Sequence, residues 1–309
     1  MKRMKLLIDT DPGVDDALAI MLAHRHADVV ALTIAAGNVG LSHTTANALK
    51  LVDVIGADTP VFAGCAHPLV LPAADAAFVH GNDGFGDTNY EPSARTLESE
   101  HAAQAILRLS HAHAGELVIA CIAPLTNLAL ALRLDPTLPQ RVAALYIMGG
   151  AVTGRGNTHL LPQEFNIGFD PEAAHVVFST WPNFTLVDWE LTLRHGIDFH
   201  LLDRWLTSNP NVRSRFYDAI SAKTRAWTVQ RGRPKLMVAD ALALAVALDP
   251  GVVRLAEERH VAVELNGTLT RGATVVDWDI RSGNAANARI ILDVDQARVE
   301  SLLAGTFVD

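Results

Sequence analysis

Short apolar runs alternate with longer apolar or amphipathic stretches along almost the whole chain. Leu6-Leu7-Ile8 reads as a buried strand, and Ala17 to Ala23 as the apolar side of a helix. Val29 to Ala35 reads as a second strand, followed by a helix from about Thr44 to Val54, and Pro60 to Ala63 as a short third strand. Leu71 to Ser93, rich in Gly, Asn, Asp and Pro, reads as a long loop of the kind that usually serves function. Glu98 to His113 is expected to be helical and Leu117 to Ile122 a strand, with a helix opening at Pro124. Val142 to Met148 is a strand ending at Gly149-Gly150. Asp170-Pro171-Glu172 starts a helix with a good cap and Pro in its first turn. Phe184 to Val187 continues the strand series. Ile197 to Leu248 is expected to be mostly helical, with breaks near Asn209-Pro210 and Gly232-Arg233-Pro234, and the chain after about His260 alternates as β structure.

Repeated strand–helix units predict a single-domain α/β fold spanning 1–309, Rossmann-like, with a mostly parallel central sheet and helices on both faces. In such sheets ligands bind at the carboxyl edge of the strands. That edge is where the polar residues of this chain gather. Asp9-Thr10-Asp11-Pro12-Gly13-Val14-Asp15-Asp16-Ala17 sets four carboxylates in one strand-to-helix turn. Helix capping accounts for one or two of them. Four so close would force some to protonate, so a hard cation such as Ca²⁺ or Mg²⁺ is the better explanation. Asn38, Thr126-Asn127 and Gly149-Gly150 also follow strands and converge on Asp11, although Asn38 and Asn127 could each serve only their own turns. Asp240 lies among Ala, Leu and Val in a helix read as Leu236 to Leu248. It is either on a narrow exposed stripe or a long-range carboxylate completing the metal site, and the apolar flanks favour the second. Glu164 and Asn166 would share a face if their segment were extended.

Composition narrows the partners. The chain has 309 residues, is 50% hydrophobic and carries a formal charge of −9, which disfavours a nucleic-acid partner and supports a large core. Cys65 and Cys121 follow apolar runs and read as buried thiols of a reducing compartment. The apolar stretch after Lys2, Arg3 and Lys5 ends at Asp9, too short for a signal-peptide core, and no apolar run approaches the roughly 18 residues of a membrane span. A cytoplasmic address without membrane partners is expected.

The opening acidic motif resembles the signature of the inosine/uridine-preferring nucleoside hydrolases. The similarity continues in order through Ala36-Gly37-Asn38, His80-Gly81, Pro124-Leu125-Thr126-Asn127, Met148-Gly149-Gly150, Glu164-Phe165-Asn166 and Asp170-Pro171-Glu172-Ala173-Ala174. The resemblance implies Ca²⁺-dependent cleavage of the N-ribosidic bond of a ribonucleoside by water. It implies Asp11, Asp16, Asp240 and the Thr126 backbone carbonyl as metal ligands, with Asp11 also as general base. Asp15 would bind a ribose hydroxyl, and Asn38, Asn157, Glu164 and Asn166 would complete the water- and ribose-binding groups. Relatives are commonly dimers or tetramers, so a homodimer or homotetramer is expected.

Two departures stand out. Many relatives carry a His before the helical Asp, where this chain has Ala239; the usual acid for the leaving base is missing. His80 is then a candidate for contact with the base, and Trp227 for stacking on it, each weighed against a purely structural role. Arg231 and Arg233 either donate to the base or are solvated. The segment from Asn157 to Glu164 is about one residue longer than usual. The expected activity is therefore hydrolysis with broad or purine-tolerant base preference. The alternatives are a Ca²⁺-dependent nucleoside- or ribose-binding protein without turnover, motivated by Ala239, and an aspartyl phosphohydrolase, suggested by the Asp9-Thr10-Asp11 start.

Overall fold

The structure, a computed structural model, describes residues 3–308. Strands Lys5–Thr10 (β1), Asp28–Ile34 (β2), Val61–Ala63 (β3), Leu117–Cys121 (β4), Ala144–Met148 (β5) and Phe184–Val187 (β6) lie parallel in the spatial order β3-β2-β1-β4-β5-β6. Ile197–Asp198 (β7) and Lys235–Leu236 (β8) form a separate antiparallel pair. Val253–Arg259 (β9) closes one edge of the main sheet, and Val261–Val263 (β10) pairs with Thr274–Val276 (β11) away from it. Ala288–Val294 (β12) lies between β6 and β9, parallel to the first and antiparallel to the second.

The helices are Val14–His26 (α1), Leu41–Ile55 (α2), Ala77–His80 (α3), Ala102–Ala112 (α4), Thr126–Leu134 (α5), Phe165–Phe169 (α6), Pro171–Thr180 (α7), Trp189–Arg194 (α8), Phe199–Ser208 (α9), Val212–Gln230 (α10), Ala239–Leu248 (α11) and Gln296–Gly305 (α12). They cover both faces of the sheet. The alternation of strand side chains shows how: Leu6 and Ile8 of β1 join one apolar cluster with α1, α2, α11 and α12. Leu7 joins the other, with α4, α5 and α7. The expected single-domain α/β fold is the observed one. Among the described residues no helix is long and apolar enough to cross a membrane.

Several local expectations change. The Glu98–His113 helix begins only at Ala102, capped by His101, because the Glu98 amide bonds the Val61 carbonyl and holds that stretch extended beside β3. The long loop Leu71–Ser93 contains α3, which ends at His80. The helix expected over Leu236 to Leu248 starts at Ala239, since Leu236 belongs to β8. β9 lies outside the β region expected after His260; as an edge strand it leaves Leu255 half exposed, and its apolar periodicity is weak. α12 was likewise not legible in the pattern.

Topology explains the position of the site. β1 runs into α1 on one face, while its neighbour β4 runs into α5 on the other, which opens a crevice beyond the carboxyl ends of the two strands. At the far side of the sheet, buried Asn287 joins three segments: Nδ2 donates to the Phe178 and Val261 carbonyls and Oδ1 accepts from the Val261 amide. Asn287→Ala leaves these backbone groups without partners and should lower the unfolding free energy by about 2–4 kcal/mol. A shift of the urea midpoint at constant m-value measures it, and a midpoint equal to that of the parent protein would show that water replaces the amide at no cost.

Candidate active site

The crevice floor is made by the turn between β1 and α1. Asp16, in the first turn of α1, is buried and receives four donors: the Thr10 hydroxyl at 2.6 Å, the Gly13 amide at 2.9 Å, Asn38 Nδ2 at 3.0 Å and the Asp11 amide at 3.3 Å. Asp11 Oδ2 accepts from the Asn38 amide at 2.6 Å, while its buried Oδ1 has no hydrogen-bond partner. Asp240, in the first turn of α11, comes to the same place because α11 packs along α1. Carboxylate oxygens of Asp15, Asp16 and Asp240 lie within 4.8 Å of one another. Two helix N-termini thus point at one group of acids, which their dipoles favour.

Burial and mutual repulsion raise the proton affinity of these groups. Burial, then Asp16, lifts Asp11 well above the usual carboxylate range. Burial raises Asp15 to about 6; burial, then Asp15, raises Asp16 to about 6. Asp240 is raised well above its ordinary value by burial and by Asp15, Asp16 and Asp11. An all-oxygen donor set with a buried, unpaired Oδ1 is the chemistry of a hard divalent cation, and the acids present fit one.

Gly37 is required by this packing, since a Cβ there would collide with Asp11 Oδ2 and sit 2.9 Å from Pro124 Cδ. The same crowding brings the β4–α5 turn beside Asp11. Thr126 lies in the first turn of α5, buried, with its hydroxyl donated to Asp170 Oδ2 at 2.8 Å. Asn127 instead serves the sheet edge: it donates to Asp9 at 2.9 Å and accepts from the Cys65 amide at 2.9 Å. Asn38 is a positioning residue as well as a cavity residue, because Nδ2 is shared between the Asp11 carbonyl and the Asp16 carboxylate.

A cavity opens above this floor. Asp15, Asn38, His80, Asn157, Glu164, Asn166, Trp227 and Asp240 all line it, so most residues singled out in the sequence meet in one place. Asp11, Asp16 and Thr126 lie beneath its lining. Glu164 and Asn166 do not form an extended pair. Glu164 is the N-cap of α6 and accepts from the Asn166, Ile167 and Gly150 amides, while Asn166 Nδ2 reaches the Met148 carbonyl at 3.2 Å across the ends of β4 and β5. Burial raises Glu164 to about 7 against those three amides. His80 Nδ1 accepts from the Val14 amide at 3.1 Å, and burial lowers the ring to about 4, so it is neutral near pH 7.

Sequence reasoning missed Phe78, Trp189 and Met237 in the lining. Trp189 had a signal, since it follows β6 by two residues and therefore lies at the same sheet edge as the acids. Phe78 and Met237 had none. They reach the cavity through α3 and the β8–α11 turn, whose positions depend on packing against α10 and β7.

Comparison with known proteins bears on this geometry. The family model of inosine-uridine preferring nucleoside hydrolases matches residues 6–301. The chain belongs to this family. It is 36% identical over 291 residues to the inosine-uridine preferring nucleoside hydrolase of Leishmania major, covering 89% of this chain and 88% of that one. It is 38% identical over 297 residues to the non-specific ribonucleoside hydrolase RihC of Klebsiella pneumoniae, covering 95% and 94%. The solved structure of an inosine-guanosine nucleoside hydrolase superposes with a TM-score of 0.91 at 34% identity over 98% of each chain. This chain is therefore a member of a hydrolase family acting on N-glycosyl bonds, with its conserved fold and an acidic cluster able to hold a metal.

Two outcomes follow from the floor. Gly37→Ala should displace Asp11 and weaken divalent-cation affinity at least tenfold while the circular dichroism spectrum stays that of the parent; titration calorimetry reads it, and unchanged affinity would show that Asp11 tolerates the methyl group. The chelated protein should also lose stability as pH rises. Asp15, Asp16 and Glu164 hold folded-state values of about 6, 6 and 7 against ordinary values of 3.8 and 4.5, so the folded chain binds more protons than the unfolded one. Their contribution is complete below about 4 and is lost through about 6–7, whereas added cation should restore stability most at the higher pH. Melting temperatures at pH 5 and pH 7.5, with and without chelator, measure both signs.

Proposed function

We propose that this chain is a Ca²⁺-dependent ribonucleoside hydrolase of broad, purine-tolerant base preference in which Asp11 is the general base. The observation that carries this reading is the unpaired Asp11 Oδ1 in a buried acidic cluster at the floor of a cavity, in a chain of this family. Asp11, Asp16, Asp240 and the Thr126 carbonyl are the groups proposed to hold the cation. Bound there, Ca²⁺ would offset the carboxylate repulsion, take up a vicinal diol and acidify water.

The side chains then divide the remaining work. Asp15 accepts from a ribose hydroxyl, and Asn157, Glu164 and Asn166 hold the rest of the sugar. Glu164 has both oxygens committed to amides, which fixes its orientation toward the sugar. Asp11 takes a proton from water as the water oxygen bonds C1′. The C1′–N bond breaks with its electron pair on the base nitrogen, which takes a proton from solvent while Asp11 returns its proton to solvent, giving free base and ribose. Positive charge developing on the sugar ring meets the carboxylates below it, an interaction stronger in the transition state than in the ground state. His80 is neutral and accepts at Nδ1, so its proton lies on Nε2, which serves the base as a hydrogen-bond donor rather than as a cationic acid. Trp227 offers the base a stacking face.

Ribose release from inosine, adenosine, guanosine, uridine and cytidine, with Ca²⁺ and with chelator, tests the reading. Chelator-sensitive release from both purine and pyrimidine nucleosides is the expected result. Asp11→Asn should cut turnover at least about 10³-fold without loss of fold. Binding of inosine with no ribose released by the parent protein would instead establish a nucleoside-binding protein.

A further inference from the structure

Opposite the acidic floor, the rim of the cavity carries the reverse charge. Several arginines of this acidic chain are matched to carboxylates, as Arg95 is to Asp53, Arg108 to Glu100, Arg141 to Asp135 and Arg298 to Asp249. Arg155, Arg231 and Arg233 are not so matched: among the described residues none of the three forms an ion pair with an acid, and they lie at or near the cavity rather than elsewhere on the surface. They are also together. The Arg231 guanidinium lies 3.9 Å from the Trp227 ring centroid, and that of Arg233 lies 5.9 Å from Trp227 and 5.8 Å from Trp189. Arg233 is half-buried in the cavity wall, and Arg155 precedes the cavity residue Asn157 by two positions. Burial, Arg231 and Arg155 all disfavour the charge of Arg233, and no acid offsets them.

Arg231 and Arg233 are held against two indoles at the cavity and repel each other and Arg155, and among the described residues no acid forms an ion pair with any of the three. Guanidinium groups carry only donors and suit anionic oxygens, and the indole faces fix their planes. The cavity is thus polarised, with a negative floor that suits a ribose diol and a cation and a positive rim that suits an anion at the opposite end of the ligand.

We propose that Arg155, Arg231 and Arg233 form an anion-recognising rim that favours ribonucleosides carrying an anionic oxygen remote from the 2′,3′-diol. This deepens the nucleoside hydrolase reading and rests on it. Two sources supply that chemistry: a base ionised through its oxo groups, as in xanthosine above neutral pH, and a phosphomonoester on the 5′ carbon. The bond broken and the fate of its electron pair are those of the neutral nucleosides; only the distal charge is added.

The test is kcat/KM at pH 8 with Ca²⁺ for inosine, xanthosine and inosine 5′-monophosphate, in the parent protein and in Arg155→Gln, Arg231→Gln, Arg233→Gln and Arg233→Lys. One anionic substrate should be preferred over inosine, and which one identifies the source. Arg233→Gln should lower that anionic-to-inosine ratio at least about tenfold, through KM more than kcat, with Arg233→Lys restoring part of it. The ratio in the parent protein should fall as NaCl is raised from about 0.05 to 0.5 M. Cleavage of inosine with a ratio indifferent to all four substitutions and to salt would overturn the anion rim and leave the hydrolase standing. Release of ribose from none of the three by the parent protein would overturn the hydrolase reading, and the rim with it.

Discussion

Buried carboxylates crowded within a few ångströms of one another are the constraint around which this protein is arranged. Asp11, Asp15, Asp16 and Asp240 share a site that two helix N-termini and a set of amide and hydroxyl donors only partly compensate. Such a cluster persists because the surrounding core over-determines it. α11 is Ala-, Leu- and Val-rich along its length and is packed on α1, so Asp240 cannot retreat to solvent without dismantling one face of the sheet. The repulsion is therefore stored by packing and released by protons or by a cation.

Positioning of the acids is a second layer. Asp16 is saturated with donors, whereas Asp11 is held by one oxygen and free at the other. Two aspartates in one turn thus differ in chemistry: one is fixed and one keeps an available lone pair. Asn38 enforces the difference by bonding both, and Gly37 leaves the space that Asp11 needs. The glycine and the asparagine matter to the site through geometry before they matter through any contact with substrate.

The cavity above then sorts ligand chemistry by depth. Its floor is acidic, its middle is lined by Trp189, Trp227 and Phe78, and its rim carries arginines. Phe78 lies 6.0 Å from Trp227, and the Thr224 hydroxyl bonds the Val79 carbonyl, so α3 and the end of α10 meet as one wall. Lys223 and Asp87 add an ion pair across the same seam. This wall of the cavity is thus assembled from two segments far apart in the chain.

Much of this was readable from residue order. Local signals carry the strand series, the acidic turn and the carboxyl-edge placement of Asn38, Asn127 and Gly149-Gly150, because period-two burial and turn chemistry are properties of adjacent residues. Asp240 could be suspected for the same reason, since a charge inside an apolar helix needs a partner. Its partner could not be named from periodicity, because the approach of α11 to α1 is a packing outcome; the family resemblance supplied the pairing and the structure shows the contact. The start of α4, the α6 cap made by Glu164, the edge strand β9 and the meeting of Phe78, Trp189, Trp227 and Arg233 were decided only in three dimensions. Each depends on which distant backbone or ring comes within a few ångströms, and one-dimensional periodicity does not encode that distance.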